Sequence, residues 1–495
     1  MKDASLPSPS STLATRHGKL VLALLCAVAF LDFVDASIVN VALPDIRKDL
    51  NFSVQNLQWV PSGYLLTYGG FMLLGGRVAD LLGRRRVLAT GTVIIGLASL
   101  AGGLAGDAGL LVAARLTQGI GAALMLPAAL SILTTTFQEG TDRHKALGAW
   151  GGVGGLASAV GVFLGGVLTQ GPGWRWVMLV NPIACVLVLP AVFRLLPNDR
   201  RTSRRRDFDV LGATLVTGGM LLLVYGLVKA PDDGWGAGRT IAEFAGAAVL
   251  LAAFLWVEHR GRTPLLPLPT LRIRGLVAAN VTQLIALAGM IAMFFFLTLY
   301  MQNVLGYSPI KTGVAYLPLC GVVGVAAGIA SNLLARVGTR PLIVAGSVIA
   351  AGGVFWLSRI PVHGSYASDL LPGMLVMAVG LGFVFVAVTT AANAGVPADR
   401  AGLAAALINA SQQVGGALGL AVLSAVATSR TNAQVRSGHP VPTALTDGFG
   451  RALVVASIFL LGAALIGLRT HNARGAEVHL AAEPAPAAET TPASV

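Results

Sequence analysis

The sequence predicts an all-α protein that crosses a membrane many times, and three observations lead to this fold class. Of the 495 residues, 55% are hydrophobic and only 12% are charged, which is about half the charged fraction of soluble domains. Apolar runs of the roughly 20 residues that a spanning helix needs recur along the whole chain. Basic residues gather between these runs, where they act as topology signals. Nucleic-acid binding is therefore not expected, despite the net charge of +13.

The apolar runs predict fourteen transmembrane helices, and an even number places both termini on one side of the membrane. A polar N-terminal segment precedes a first run of spanning length that carries two acids, so a cleaved signal peptide is not expected. The predicted ranges, in chain order, are 19–43, 56–78, 86–105, 108–134, 145–169, 175–194, 209–229, 240–257, 275–302, 311–335, 340–359, 369–393, 400–427 and 449–468.

Composition divides the chain into six parts. The most charged stretch follows the sixth helix and predicts a linker between two halves. Two helices remain if each half holds six, and the pair directly after the linker is the natural insertion. The parts are an N-terminal tail (1–18), a six-helix bundle (19–194), a basic linker (195–208), two inserted helices (209–257), a second six-helix bundle (275–468) and a disordered Ala/Pro/Thr-rich tail (469–495).

Basic clusters set the predicted orientation. They fall in the loops on the side that holds both termini, and the positive-inside rule makes that side cytoplasmic. We therefore expect a multi-pass protein of the plasma (inner) membrane with both termini in the cytoplasm. The clusters are Arg84–Arg86, Arg143 with Lys145, Arg200–Arg206, Arg260 to Arg274, and Arg336 with Arg340.

Two carboxylates, Asp32 and Asp35, interrupt the first helix and share one face at i,i+3. A charge at the centre of a membrane helix costs at least about 2.5–3.5 kcal/mol, so both need a compensating group or a function. Helix rise places Arg115 of the fourth helix level with Asp32 and one turn from Asp35. The three charges either form a static buried salt bridge or bind and release a proton during transport.

The groups that the sequence lacks limit the possible energy sources of transport. All seven histidines lie in loops, tails or helix ends, so no imidazole is available inside the membrane. No G-x-x-x-x-G-K-[ST] phosphate loop occurs, and the three cysteines stand apart in separate apolar runs. No cofactor and no metal are expected, and active transport would have to use an ion gradient. An integral membrane enzyme is a rival class, but no nucleophile–base constellation supports it.

The second helix ends in GGRVADLLGRRRV, residues 75–87, in which glycines allow close helix approach and a tight turn. This stretch resembles the signature loop of the major facilitator superfamily, although Val78 and Leu81 depart from the usual residues. The resemblance implies that this loop acts in conformational coupling and that Asp80 is its most important residue. The matching residues are Gly76, Ala79, Asp80, Gly83, Arg84 and Arg85. Residues 335–344 repeat the pattern weakly, as expected for two duplicated halves.

The first and fourth helices point to one branch of that superfamily. VDASIVNVALP, 34–44, resembles the first-helix pattern of the drug:proton antiporters, with Asp35 as its acid. LVAARLTQGIGAA, 111–123, is similar to the membrane-embedded arginine motif, with Arg115 and Gln118 in register. The resemblance favours Asp35 as the proton carrier, and we expect its asparagine variant to insert at least as well as the parent.

The fifth helix carries AVGVFLGG, 159–166, which is close to the glycine-rich antiporter motif of the same branch. Gly161, Gly165 and Gly166 match as helix-packing positions, whereas Val162 stands where a proline is expected. The missing proline keeps open a second interpretation, a uniporter or symporter of a small metabolite.

The thirteenth helix, with NASQQVGGALGLAVL at 409–423, resembles the penultimate helix of fourteen-helix drug exporters. Together the motifs cover 19–468 and imply the major facilitator fold, with two six-helix bundles around a central cavity plus two inserted helices. They imply a proton-coupled exporter of an amphipathic small molecule that functions as a monomer. Its expected partners are that substrate, protons and the lipid bilayer.

Four residues are candidates to line the cavity: Asn40, Gln118, Phe295 and Gln413. The aromatic residues of the ninth helix equally suit helix packing or contact with lipid. Two acids in the cavity would suit a cationic or zwitterionic substrate, yet the same acids would also serve protons alone. The sequence does not choose between these substrates.

Overall fold

The structure is a computed structural model of the chain. It describes residues 13, 15–137, 141–197, 209–261, 273, 275–394, 396 and 401–473. The charged part of the predicted linker and most of both predicted tails lie outside these residues.

Fourteen long helices make up nearly all of the described chain, and no strand occurs among the described residues. Thirteen of the helices are long and apolar enough to cross a membrane. The fourteenth, α2, is less apolar because it carries tyrosines, glycines and an arginine. The all-α membrane fold predicted from the sequence is thus confirmed. The helices are α1 (Arg16–Asp49), α2 (Trp59–Leu82), α3 (Arg84–Gly103), α4 (Ala108–Thr136), α5 (Thr141–Gln170), α6 (Arg175–Leu195), α7 (Val210–Asp233), α8 (Gly238–Arg260), α9 (Leu276–Leu299), α10 (Pro309–Val337), α11 (Thr339–Leu357), α12 (Leu371–Asn393), α13 (Ala401–Arg436) and α14 (Val441–Gly467).

Helices α13 and α14 extend beyond the predicted ranges 400–427 and 449–468 at the ends where they meet. Their additional turns are polar, which is why hydropathy alone ends them early. Arg430 of α13 donates a hydrogen bond to Asp447 of α14 over 2.7 Å, and Gln434 donates to the same carboxylate. Mutual pairing of these side chains supports the helices outside the apolar layer.

The two halves, α1–α6 and α9–α14, repeat one packing pattern. In the first half α2 and α3 pack on α4, α1 packs on α5, and α3 packs on α6. The second half places α10 and α11 on α12, α9 on α13, and α11 on α14 in the same way. Gly83 and Gly338, with φ of +99° and +86°, make the corresponding turns in each half. The two halves are therefore structural repeats, and the boundary between them is the expected place for a site.

The inserted helices α7 and α8 pack on each other, and α7 lies against both halves, on α2 and on α13. The approach of α7 to α2 is close because Gly70 lacks a side chain at the contact with Thr217. The Trp59 and Tyr225 rings, 6.5 Å apart, make a second contact between the same helices. The insertion therefore packs over the seam between α2 and α13.

The two halves meet at one membrane face, which we call the distal face because α1 begins and α14 ends at the opposite, termini face. A methyl group added at Gly166 of α5 would lie 2.7 Å from the Pro309 oxygen of α10. Gln302 donates a hydrogen bond to the Val41 oxygen of α1 over 2.8 Å. These contacts between the halves close the distal face.

Toward the termini face the same two helices separate. Gly148 and Gly152 continue the face of α5 that carries Gly166, since they lie whole helical turns away from it. A methyl group added at either would meet no described atom within 4 Å, and the same holds for Gly324 and Gly328 of α10. We infer from this open space that the two halves lie farther apart toward the termini face, which leaves a cleft between them there.

Candidate functional site

Asp35 lies in the middle of α1 and is only 2% exposed. Its Oδ2 atom forms an ion pair with Nη1 of Arg115 on α4, over 2.8 Å. Its Oδ1 atom accepts hydrogen bonds from the side-chain amides of Gln118, over 3.3 Å, and of Asn181 on α6. One cation and two amides thus surround this carboxylate, and its charge is balanced.

Arg115 is 1% exposed and is held by several groups besides Asp35. Its Nε atom donates to the Val60 oxygen of α2 over 3.0 Å, and Nη1 donates to Gln118 over 2.9 Å. Its guanidinium carbon lies 4.4 Å from the centre of the Tyr64 ring, a cation–π contact. The arginine is therefore fixed by α1, α2 and its own helix.

Asp32, one turn before Asp35, has a different environment. It is 3% exposed and accepts hydrogen bonds from the hydroxyls of Tyr64, over 3.1 Å, and Tyr68, over 2.8 Å. The two rings pack edge to face with centres 5.5 Å apart. Among the described residues no lysine, arginine or histidine forms an ion pair with Asp32. Both of its donors are neutral, so an ionised Asp32 is a buried charge without a counter-ion.

This arrangement corrects the prediction from helix rise that Arg115 lies level with Asp32 and one turn from Asp35. Arg115 pairs with Asp35 because Tyr64 and Tyr68 of α2 occupy the space beside Asp32. Sequence reasoning also missed Asn181. The tyrosines at i,i+4 and a lone amide inside an apolar helix were the available signals, since polar groups at membrane depth need partners.

Gln413 of α13 connects this site to the second half. Its side chain is a polar neighbour of the Tyr68 hydroxyl. The backbones approach closely here, because a methyl group added at Gly69 would lie 3.0 Å from the Gln413 Cβ atom. A predicted cavity residue of one half thus contacts the tyrosine that binds Asp32 in the other.

Two other cavity candidates are placed differently. Phe295 is 1% exposed and packs edge to face on Phe296, with ring centres 5.4 Å apart. It therefore lies in the packed core of the second half, because it points toward its neighbours rather than into the cleft. Asn40 is half-buried and donates to the Ala36 and Ser37 oxygens of its own helix.

The glycines of the antiporter-like motif let α5 approach two helices. Gly161 faces Val34 of α1, with 3.1 Å between the position of an added methyl group and the Val34 oxygen. Gly165 faces the backbone of Ile38, also on α1, and Gly166 faces α10 of the other half. Val162, which replaces the expected proline, is buried at this same contact.

The loop between α2 and α3 is anchored to two further helices. Gly83 ends α2 with φ of +99°, a backbone conformation that favours glycine. Arg84 donates to the Thr135 hydroxyl of α4 over 2.9 Å, and the Arg85 guanidinium lies 5.1 Å from the centre of the Phe193 ring of α6. The loop therefore joins α2 and α3 to the rest of the first half.

Gly76 and Asp80 complete this predicted motif on α2. A methyl group added at Gly76 would lie 3.8 Å from the Pro127 side chain of α4, an ordinary packing distance. The side chain of Asp80 lies outside the described part of the structure, so its role in conformational coupling stays a prediction. Within the described residues no cluster of three or more His, Cys, Asp or Glu side chains could hold a metal ion.

Comparison with known proteins identifies the fold and the family. Residues 25–420 match the family model described as Major Facilitator Superfamily. The puromycin resistance protein pur8 of Streptomyces alboniger is 41% identical over 455 residues, 90% of this chain and 89% of that protein. The cephamycin export protein CmcT of Amycolatopsis lactamdurans is 38% identical over 471 residues, covering 94% and 95% of the two chains.

Solved structures agree on the fold. An autoinhibited peptide transporter of the POT family superposes with a TM-score of 0.67 at 15% identity, covering 92% of this chain and 98% of that one. A bacterial homologue of the human lysosomal transporter Spinster, inward-facing and unoccupied, superposes with a TM-score of 0.64 at 16% identity, covering 96% and 100%. The family match over residues 25–420 and the two relatives show that the chain belongs to the major facilitator superfamily.

Proposed function

We propose that this multi-pass membrane transporter is a proton-coupled antiporter that exports amphipathic small molecules, such as antibiotics, across the bacterial plasma membrane. Two relatives that align with about nine-tenths of the chain are named for puromycin resistance and for cephamycin export. The basic clusters support a cytoplasmic termini face, by the positive-inside rule.

The shape of the cleft supports alternating access. With the termini face in the cytoplasm, the open cleft is an inward-facing state that can load substrate from the cell. The contact of Gly166 with Pro309 then forms part of the outer gate. Release outside requires α5 and α10 to separate at this contact while the halves rock together at the termini face. The anchored loop at Gly83 to Arg85 is proposed to act in that second closure.

The difference between the two acids is the observation that carries the proposal. Asp35 is neutralised by Arg115, whereas Asp32 has only the two tyrosine hydroxyls. Burial of an unpaired charge costs several kcal/mol, so Asp32 is stabilised by whatever neutralises it. Both a proton and a cationic group of a substrate can do this, but they exclude each other. Mutual exclusion at one carboxylate is the physical basis of antiport.

We therefore assign the proton to Asp32 and a fixed, charge-balancing role to the pair of Asp35 and Arg115. This reverses the preference for Asp35 that the sequence motif suggests. Tyr68 is proposed to transmit the protonation state of Asp32 to Gln413, and through Gln413 to the second half. Loss of the proton would change the hydrogen bond at Tyr68 and with it the contact between α2 and α13.

Puromycin transport into inverted proteoliposomes with an imposed pH gradient, acidic inside, tests the proposal. The parent should accumulate puromycin, and Asp32→Asn should only equilibrate it, because a neutral side chain cannot exchange protons for substrate. Accumulation by Asp32→Asn at the parent rate would overturn the assignment.

A uniporter or symporter is the alternative, favoured by Val162 in place of the motif proline. A uniporter predicts that puromycin accumulation by the parent does not depend on the pH gradient, and a proton symporter predicts accumulation only when the vesicle exterior is the acidic side. The same vesicles decide this question, because the direction of the pH gradient can be reversed.

A further inference from the structure

A second cavity, with a volume of about 180 Å³, opens at the distal face, away from Asp32 and Asp35. Three parts of the chain line it: the turn after α1, the distal end of α7 in the insertion, and α9, α13 and α14 of the second half. Its main residues are Ser53, Gln55, Asp232, Phe296, Ser424 and Phe449.

The wall of this cavity carries two buried polar side chains that the fold leaves unused. Gln55 is 3% exposed, and its amide nitrogen has no hydrogen-bond partner among the described residues. Ser424 is 2% exposed, and its hydroxyl likewise has none. The large majority of buried side-chain polar atoms are paired in proteins, and two unpaired ones on the wall of one cavity fit a ligand with hydrogen-bonding groups.

Asp232 gives the cavity a negative charge. Its exposed carboxylate makes no ion pair or hydrogen bond to the part of the chain that the structure describes. Arg430 of α13, next in sequence to the lining residue Thr431, is already paired with Asp447 over 2.7 Å. Asp232 is therefore free to attract a cation, although its exposure keeps that attraction moderate.

Two aromatic rings form the apolar side. Phe296 and Phe449 are both 1% exposed, and their ring centres lie 5.5 Å apart. A ligand that matches all three features has an ammonium group, an aromatic ring and a hydrogen-bonding group. An aromatic amine in its protonated form has this chemistry.

We propose that this cavity is a second ligand site, for protonated aromatic amines that arrive from the distal side. Both halves contribute to its wall, Gln55 from the first and Ser424 from the second, so the site is complete only while the distal ends are together. A ligand that binds one conformation shifts the equilibrium toward it. Occupancy therefore holds the distal face closed and slows export without competing for the central site. This goes beyond the proposed function and does not depend on proton coupling.

Tyramine is a suitable probe, and its binding to the purified full-length protein in nanodiscs can be measured by calorimetry at pH 7. Asp232→Asn should weaken tyramine binding about threefold or more. The neighbouring Asp233→Asn is the matched control, because Asp233 does not line the cavity, and it should bind tyramine like the parent. 4-Ethylphenol, which lacks the ammonium group, should bind the parent and Asp232→Asn equally. Equal tyramine affinity in the parent and Asp232→Asn would overturn the proposal.

Gln55→Met provides a variant that leaves the charge in place. It should weaken tyramine binding while leaving thermal unfolding unchanged or raised, because it replaces an unpaired amide by an apolar group. Binding that stays at the parent affinity would contradict the role of the amide.

Two further measurements separate this site from the central one. Tyramine added on the distal side of proteoliposomes should inhibit export in the parent and not in Asp232→Asn. Asp32→Asn should still bind tyramine, whether or not it transports. Tyramine binding that is lost in Asp32→Asn and kept in Asp232→Asn would place the amine in the central cleft and overturn the proposal.

Discussion

Replacing Asp35 by asparagine leaves Arg115 charged, buried and without its counter-ion. Removing one partner of a buried ion pair typically costs about 3–5 kcal/mol, because the remaining charge is no longer compensated. Arg115 is 1% exposed, and its remaining contacts are neutral: Gln118, the Val60 oxygen and the Tyr64 ring. We therefore expect Asp35→Asn to lose at least about 3 kcal/mol of unfolding free energy, a factor of more than about 100 in the folding equilibrium. The sequence alone suggested no loss.

Denaturant unfolding of the detergent-solubilised protein, followed by tryptophan fluorescence, measures this loss. The pair of Arg175 and Asp49 supplies the matched control, since its N–O distance of 2.5 Å is short but its side chains are 42% and 45% exposed. Asp49→Asn should lose less than about 1 kcal/mol. The double variant Asp35→Asn/Arg115→Gln removes both buried charges and should recover most of the stability. If Asp35→Asn loses no more than Asp49→Asn, or the double variant recovers nothing, the buried pair does not have the proposed role.

Three further variants test other parts of the account. Asp32→Asn should unfold at the same denaturant concentration as the parent or a higher one, because asparagine is neutral like the protonated acid and keeps polar atoms for both tyrosines; a loss of about 3 kcal/mol or more, the size expected for breaking a buried charge pair, would contradict this. Gly166→Val should separate the distal ends of α5 and α10, since even a methyl group would lie 2.7 Å from the Pro309 oxygen, and spin-label distances across that contact should lengthen. Gly152→Val, at a position in open space, is the control for Gly166→Val, and equal spin-label distances in both variants would refute the proposed outer gate. Gly83→Ala should cost about 1 kcal/mol or more of unfolding free energy, because its φ of +99° is strained for a residue with a Cβ atom; unchanged unfolding would count against the strain.

The fold is well predicted from the sequence because apolar runs, basic clusters and the internal duplication are all patterns of residues close together in the chain or at repeated positions. Fourteen apolar runs become fourteen long helices, and the glycine pattern that matches Gly83 with Gly338 marks equivalent turns. The ends of α13 and α14 are less predictable, because Arg430 and Asp447 stabilise each other across two helices. Such pairing depends on positions that are not local in sequence.

The site is only partly predictable, for the same reason. Depth along a helix brings Arg115 to the level of the two acids, but it does not fix the rotation of each helix about its axis. That rotation decides that Arg115 meets Asp35 and that Tyr64 and Tyr68 meet Asp32. The difference in charge balance between the acids therefore emerges only from the packed structure.

Proton release on substrate binding tests the central assignment most directly. Puromycin, the proposed substrate, is added to purified protein in weak buffer, and a pH indicator counts the protons released. We predict that the parent releases protons and that Asp32→Asn releases none, because Asp32 is the carboxyl that a substrate neutralises in place of a proton. Release by Asp32→Asn equal to that of the parent would contradict the account and return the proton to another group, with Asp35 the first to examine.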